Sequence, residues 1–410
     1  MTRHLLALLA PLALGACSGD KVPELDFSID SPWPSGRELP PLGGGRIVVT
    51  NSMDDTVSLL DLDSMGSPDW SELARVPVGL NPVELEGPHH AAFSPRGDFY
   101  YVGLSYSVPG AGSGPHGAHG TGTADGYCLK LDAKDNHLVG SVRVDRNPGD
   151  LIASADGRTL FQTHFDLLKI TDVARRGGPE SEMNARLAIL DADTMTRKAM
   201  VTVCPAPHAV RLSPDEKRAY VTCISDEVAV VQLDAEGYRL MSRIKVATNA
   251  GTAVAPRHEP YALTVSPTDG SVWVSSLTSG VVQFLDPESL TMRPERAVPV
   301  ERSGSPMFGT FSADGRTLYM PYTRQEVVAV IDTAVTPPRS IREIPLAPSG
   351  CVNVHQVTLT PDGQHGLAVC EGDHQGPGTL HVLDLAAGTV TKTVTLGIYP
   401  DSVGILRGTP

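Results

Sequence analysis

No run in this chain reaches the roughly 18 consecutive apolar residues that a membrane-crossing helix requires, so no segment qualifies as one. Basic residues are few: 33 Lys and Arg stand against 47 Asp and Glu, and a net charge of −14 argues against a nucleic-acid partner, whose phosphates it would repel. Aromatic residues amount to 5%, while 40 Gly, 34 Pro and short β-branched runs make an all-β composition. Three chemical signatures are missing as well. There is no Cys-x-x-Cys-His for covalent haem, no Gly-x-Ser-x-Gly nucleophile turn and no phosphate-cradling loop.

The N-terminus carries a compartment signal. One Arg within Met1 to His4 precedes the apolar run Leu5 to Leu14, a pattern that predicts a signal peptide over residues 1–16. It ends in Leu14-Gly15-Ala16-Cys17, which resembles a bacterial lipobox and implies lipid attachment at Cys17 as the only membrane contact. Ser18 after the Cys, by resemblance to Gram-negative sorting rules, points to the outer membrane. Residues 17–45, rich in Pro and Gly and without periodicity, read as an extended tether.

From residue 46 to 406 the chain is a repeat. Pro207-His208-Ala209-Val210-Arg211-Leu212-Ser213-Pro214-Asp215 aligns with Pro306-Met307-Phe308-Gly309-Thr310-Phe311-Ser312-Ala313-Asp314-Gly315 and with Val354-His355-Gln356-Val357-Thr358-Leu359-Thr360-Pro361-Asp362-Gly363. Each continues into a second apolar run, such as Ala219-Tyr220-Val221-Thr222, so the unit is a β-hairpin. A third run ending in Asp follows, as in Val328-Ala329-Val330-Ile331-Asp332, and a fourth precedes the next copy. Four strands recurring at about 45 to 60 residues are propeller blades. Val48 to Asn51 and Thr56 to Asp61 lack a first strand, and Tyr399 to Ile405 is a first strand lacking a second. Joined, they complete a seventh blade and close the ring.

These residues resemble the YVTN-type β-propeller repeat family, with Val49-Thr50-Asn51, Thr56-Val57-Ser58 and Tyr220-Val221-Thr222 the nearest pieces. The resemblance implies a single seven-bladed propeller of four-stranded antiparallel blades whose first strands line an axial channel. It implies little about activity, because similar propellers serve as lactonases, electron-transfer subunits, copper enzymes and scaffolds.

The residue five before each turn Ser or Thr forms one ring at the channel mouth: His89, Gly149, His208, Tyr261, Met307, His355 and, by analogy, Asp401. Topology places His90, His116, His119, His164, His258 and His374 on the same face, against His137, His365 and His381 elsewhere. Imidazoles with a thioether suit copper or another late transition metal; the alternative is polar groups bonded to channel water. Strand alternation leaves the direction of each side chain open. The Gly-rich insertion Ser107 to Ala124 either folds over the mouth or is mobile.

Two blades share the spacing Cys204-x3-His208-x14-Cys223 and Cys351-x3-His355-x14-Cys370, and symmetric pairing sets each His opposite the second Cys. In an exported chain these are natural disulfides, with a Cys/His metal site or free thiols as alternatives. Cys128 is left over as a buried small hydrophobe.

Three functions stay open. With no complete catalytic constellation, the leading expectation is a scaffold that binds a protein partner or small ligand through its top loops. The second is a copper- or iron-dependent oxidoreductase or electron-transfer partner using the ring, with His164 as an added candidate ligand. The third is a lactonase-like hydrolase with His as acid and base.

Overall fold

The structure is a computed structural model, and it describes residues 39, 43–80, 85–106, 119–298 and 304–408. Seven antiparallel sheets account for all of the described strands. Six are continuous in sequence, spanning 88–146, 148–205, 207–245, 260–292, 305–345 and 354–398. The seventh takes its innermost strand, Pro400–Arg407, from the C-terminal side and its other three, Gly45–Asn51, Thr56–Asp61 and Ala74–Pro77, from the N-terminal side. Val48 lies opposite Gly404 and Val49 opposite Val403, so the chain's two ends are sewn together and the ring has no open edge. The signal peptide, Cys17 and most of the tether lie outside the described residues.

The repeat motif has a local explanation. In the hairpin turn, Ser213 Oγ donates to Asp215 Oδ1 at 2.6 Å, and the N–H of Arg218 returns to Ser213 Oγ at 3.0 Å. Ser312 with Asp314 and Thr360 with Asp362 repeat this arrangement at 2.6 Å. The Asp that ends each third strand stops it by an Asx turn: Asp132, Asp234 and Asp384 each accept the N–H two residues on, at 2.7, 3.0 and 2.9 Å.

Apolar residues from neighbouring blades form the core between them. Ile47, Val49 and Val403 of the closing blade share a cluster with Leu367, Val369, Leu380 and Val382 of the blade before it. On the other side, Val48, Val57 and Leu59 join Tyr100, Val102, Leu129 and Leu131. Strands covered on both faces explain the near-continuous apolar runs of the sequence.

Two departures from a uniform blade bear on the axis. The blade 305–345 has a broken first strand, Ser305–Pro306 and Thr310–Phe311, and between the pieces the N–H of Phe308 bonds the carbonyl of His355 in the next blade at 3.1 Å. The insertion after His164 forms a helix, Leu167–Arg175, whose first turn is capped by Asp166 and whose Ile170 and Val173 are buried with Phe165 and Met183.

A histidine and aspartate cluster at the channel mouth

Every first strand except the broken one begins with a β-bulge. Register slips between Pro88 and Ala91, Pro148 and Leu151, Pro207 and Val210, Pro260 and Ala262, Val354 and Gln356, and again around Asp401. Each bulge adds one residue, so strict alternation fails at the ring positions and their side chains are re-aimed. The sequence expectation that His208 and His355 face the second Cys of each hairpin is corrected here. Pro207 lies opposite Cys223 and Val354 opposite Cys370, because the bulge displaces each His from the ladder.

A hydroxyl on the second strand satisfies the bulge and ties it to the next blade. Thr222 Oγ1 accepts the N–H of Ala209 at 2.9 Å and donates to the carbonyl of Tyr261 at 2.9 Å. Thr50 does the same between Ser402 N–H, at 3.0 Å, and the His89 carbonyl, at 2.5 Å. Thr163 joins Asp150 N–H, at 2.9 Å, to the His208 carbonyl. This is what the Thr of the repeated second-strand motif does.

The ring histidines are oriented in the same blade-to-blade manner. His89 Nδ1 lies 3.2 Å from the carbonyl of Gly149, His208 Nδ1 3.2 Å from that of Tyr261, and His355 Nδ1 2.5 Å from that of Asp401. A carbonyl only accepts, so each Nδ1 carries a proton and, in the neutral ring, Nε2 holds the lone pair. His90 is held alike by a carboxylate, its Nδ1 2.8 Å from Asp150 Oδ1. Asp150 in turn is gripped by Arg211 and by the N–H of Val210 at 3.0 Å. Burial opposes ionisation of Asp150, but Arg211 and His90 outweigh it and hold its carboxyl well below the usual range.

Asp401 gathers the cluster. Its Oδ2 lies 3.1 Å from both His89 Nε2 and His119 Nε2, and its Oδ1 2.6 Å from His355 Nδ1. Ser52 Oγ adds a hydrogen bond at 3.1 Å. All these groups are buried, Asp401 and His355 completely. Burial alone would raise the Asp401 carboxyl, yet His89, His355 and His119 together keep it well below its ordinary value. Burial pushes His89 down, with help from the neighbouring imidazoles and against the pull of Asp401. Burial also opposes a charge on His355, but Asp401 and Glu371 carry it above the ordinary histidine value. With the Nδ1 proton directed at the Gly149 carbonyl, a neutral His89 turns its Nε2 lone pair toward a carboxylate oxygen. Two acceptors 3.1 Å apart are the arrangement that a cation between them relieves.

The ligand atoms of His89, His119 and His208 lie within 4.8 Å of one another, and so do those of His89, His90 and Asp401. Tyr261 stacks on His208 with ring centres 3.6 Å apart and places its hydroxyl 3.2 Å from His119 Nδ1. Phe308 lies 5.0 Å from the His90 ring and 5.2 Å from the His355 ring and lays apolar surface against both.

Two residues singled out in the sequence stand apart. His164 is buried, but its Nδ1 contacts the Arg186 carbonyl at 2.5 Å and its Nε2 accepts the Asp145 N–H at 3.1 Å, so backbone occupies both nitrogens and the ring is a structural tie. Met307 is buried in the apolar cluster with Phe308, Phe165 and Ala209, and its carbonyl takes the Ser275 hydroxyl at 2.9 Å. The sequence list of ring residues lacks His90, His119 and Asp150. His119 comes from the Gly-rich insertion, whose closing end does reach the mouth; residues 107–118, including His116, lie outside the described set.

Both expected disulfides are formed, Cys204 with Cys223 and Cys351 with Cys370, and Cys128 is a buried free thiol.

No family model matches the chain, and no curated protein does. Among solved structures it is similar to the periplasmic gluconolactonase of Pseudomonas aeruginosa, with 18% identity, a TM-score of 0.60 and 89% of this chain covering 99% of that one. It is likewise similar to the Kuenenia stuttgartiensis hydrazine synthase, at 17% identity and TM-score 0.56 over 80% of this chain and 98% of that one. A functionally unknown protein of Desulfotomaculum acetoxidans gives 12% identity and TM-score 0.64 over 88% and 99%. At such identities the likeness is one of fold, and the fold is an all-β, seven-bladed propeller of four-stranded antiparallel blades.

Proposed function

We propose that this chain is an exported, lipid-anchored metalloprotein of the YVTN-type propeller family that holds a late transition-metal ion, copper foremost, at its axial cluster and passes single electrons through it. The carrying observation is the shared use of Nδ1. His89, His90 and His208 each spend that nitrogen on a carbonyl or carboxylate, which is how proteins fix and strengthen imidazole ligands that bind through Nε2. The spacing supports it too: two ligands on a tetrahedral ion with bonds of about 2.0 Å lie about 3.3 Å apart, against 3.1 Å from Asp401 Oδ2 to His89 Nε2 and to His119 Nε2. An imidazole set with one carboxylate and no thiolate favours copper, at the top of the divalent affinity order. The buried cluster moves this reading ahead of the plain scaffold.

The test is uptake. Mature protein incubated separately with Cu(II), Zn(II) and Fe(II) and then desalted should retain about one equivalent of the preferred ion. His89→Ala combined with His208→Ala should retain almost none, and a wild type that retains no ion sinks the reading. Anchoring at Cys17 is tested by Cys17→Ser, which should move the protein from the membrane to the soluble fraction; unchanged membrane retention refutes it.

A second reading is supported by the buried His355 and Asp401 pair, whose 2.6 Å contact suits general acid and base work, and by the printed activity of the Pseudomonas neighbour. It requires turnover of small lactones by metal-free protein. Loss of all turnover on chelation, or none at all, removes it.

A further inference from the structure

The residue before each first strand but the broken one has a left-handed backbone: Gly87, Asn147, Ala206, Glu259, Asn353 and Tyr399 all have φ between +38° and +59°. Gly and Asn suit that conformation, and a bulky aromatic there is an outlier that has to be held by its surroundings. Tyr399, at φ +57°, is the largest of the six and is completely buried. The fold asks only for the conformation, which Gly or Asn supplies in other blades. The ring of Tyr399 therefore needs its own explanation.

Its contacts supply one. One face of Tyr399 is stacked on His119, with ring centres 5.4 Å apart and planes 11° from parallel, and His119 Nε2 is 3.1 Å from Asp401 inside the cluster. The second stacking partner is His374, at 3.8 Å and 10°. His374 is itself left-handed, at φ +63°, and its side chain is 17% exposed, with Nε2 2.6 Å from the buried carboxylate of Glu371. Three nearly parallel rings thus run from the buried cluster to solvent, and two of them sit on strained backbone. Strain collected at one place points to function.

We infer that the stack of His374, Tyr399 and His119 is the electron path of the centre, by which a one-electron carrier protein docking over His374 reduces a copper ion too deeply buried to touch. The inference rests on the metal reading above. The step makes and breaks no bond: the carrier loses one electron, Cu(II) becomes Cu(I), and no proton is transferred. Successive near-parallel rings 3.8 and 5.4 Å apart shorten the through-space gaps that an aliphatic side chain would leave, and the acidic chain, at −14, favours a cationic donor.

The experiment uses copper-loaded mature protein mixed with hexaammineruthenium(II), following the Cu(II) signal by stopped flow. Tyr399→Leu and, at the surface, His374→Leu should each slow reduction about tenfold, while Tyr399→Phe, which keeps the stacked ring, should stay within about twofold of wild type. Copper content and the Cu(II) resonance spectrum should be unchanged in the His374 variant, which separates the path from the site. Full loading with wild-type rates in both leucine variants overturns the path alone. A wild type that takes up no copper overturns the path and the metal reading together.

Discussion

The carboxylate of Asp150 stands 2.8 Å from Nδ1 of His90 across a blade boundary, so one blade orients the imidazole of another. The pair is the most direct link between the repeat and the chemistry proposed for its axis. Asp150→Asn keeps the shape and removes the charge that fixes the His90 tautomer. Copper affinity should fall between about tenfold and a hundredfold, the usual cost of losing such a support, as measured by competition with a chelator of known affinity. An unchanged affinity would show that His90 is no ligand.

Thr222 should matter to stability out of proportion to its size. Thr222→Val keeps its volume but strands the buried Ala209 N–H and leaves the Tyr261 carbonyl without its hydroxyl donor, held by His208 Nδ1. The loss should be about 2 kcal/mol in urea denaturation. The exposed Thr194 offers a control, since the same change there should cost less than about 0.5 kcal/mol.

The two bridges tie the end of a fourth strand, or the crossing after it, to the end of the next blade's second strand. Replacing Cys204 and Cys223 together by Ala should cost about 3 kcal/mol, through the larger freedom of the unfolded loop. Equal denaturation midpoints for the wild type and the double variant would contradict this. Cys128, whose thiol burial pushes up, should resist labelling until the protein unfolds.

His381 gives a pH dependence of known sign. Burial pushes its pKa down from 6.5 to about 4, and the hydroxyls of Thr379 and Thr393, at 2.9 and 3.1 Å, satisfy the neutral ring. The unfolded chain therefore takes up a proton below about pH 6.5 that the folded protein refuses until about pH 4. Stability should fall as pH falls through that window, by about 2 kcal/mol between pH 7 and pH 5 from this group. His381→Gln should flatten that part of the urea midpoint against pH curve; identical curves would exclude the assignment.

The sequence carried the architecture because the repeat states it several times over: the hairpin turn at Ser213 to Asp215, the Asp that closes each third strand, and the half-blades at Val48 and Val403. It also carried His89, His208, His355 and Asp401 as one group, since repeat position alone defines a ring. What it could not carry is the bulge. A single added residue per first strand leaves no mark in composition or period, yet it decides that both His89 and His90 reach the cluster and that Pro207, not His208, faces Cys223. Topology set His119 on the same face, but it arrives from an insertion with no counterpart in other blades, so no alignment of copies could put it among the ring residues. His164 occupies a regular strand end and looked equivalent to the others; only its two backbone partners distinguish it.

Asp401 belongs to the strand that follows every other strand of the ring, Pro400–Arg407. The one anion among His89, His119 and His355 therefore joins them last as the chain is made, and it does so in the same movement that pairs that strand with Gly45–Asn51. A chain interrupted before that point lacks the carboxylate that His89 and His119 share. Closure of the ring and completion of the cluster are a single event, so an open ring cannot imitate a closed one.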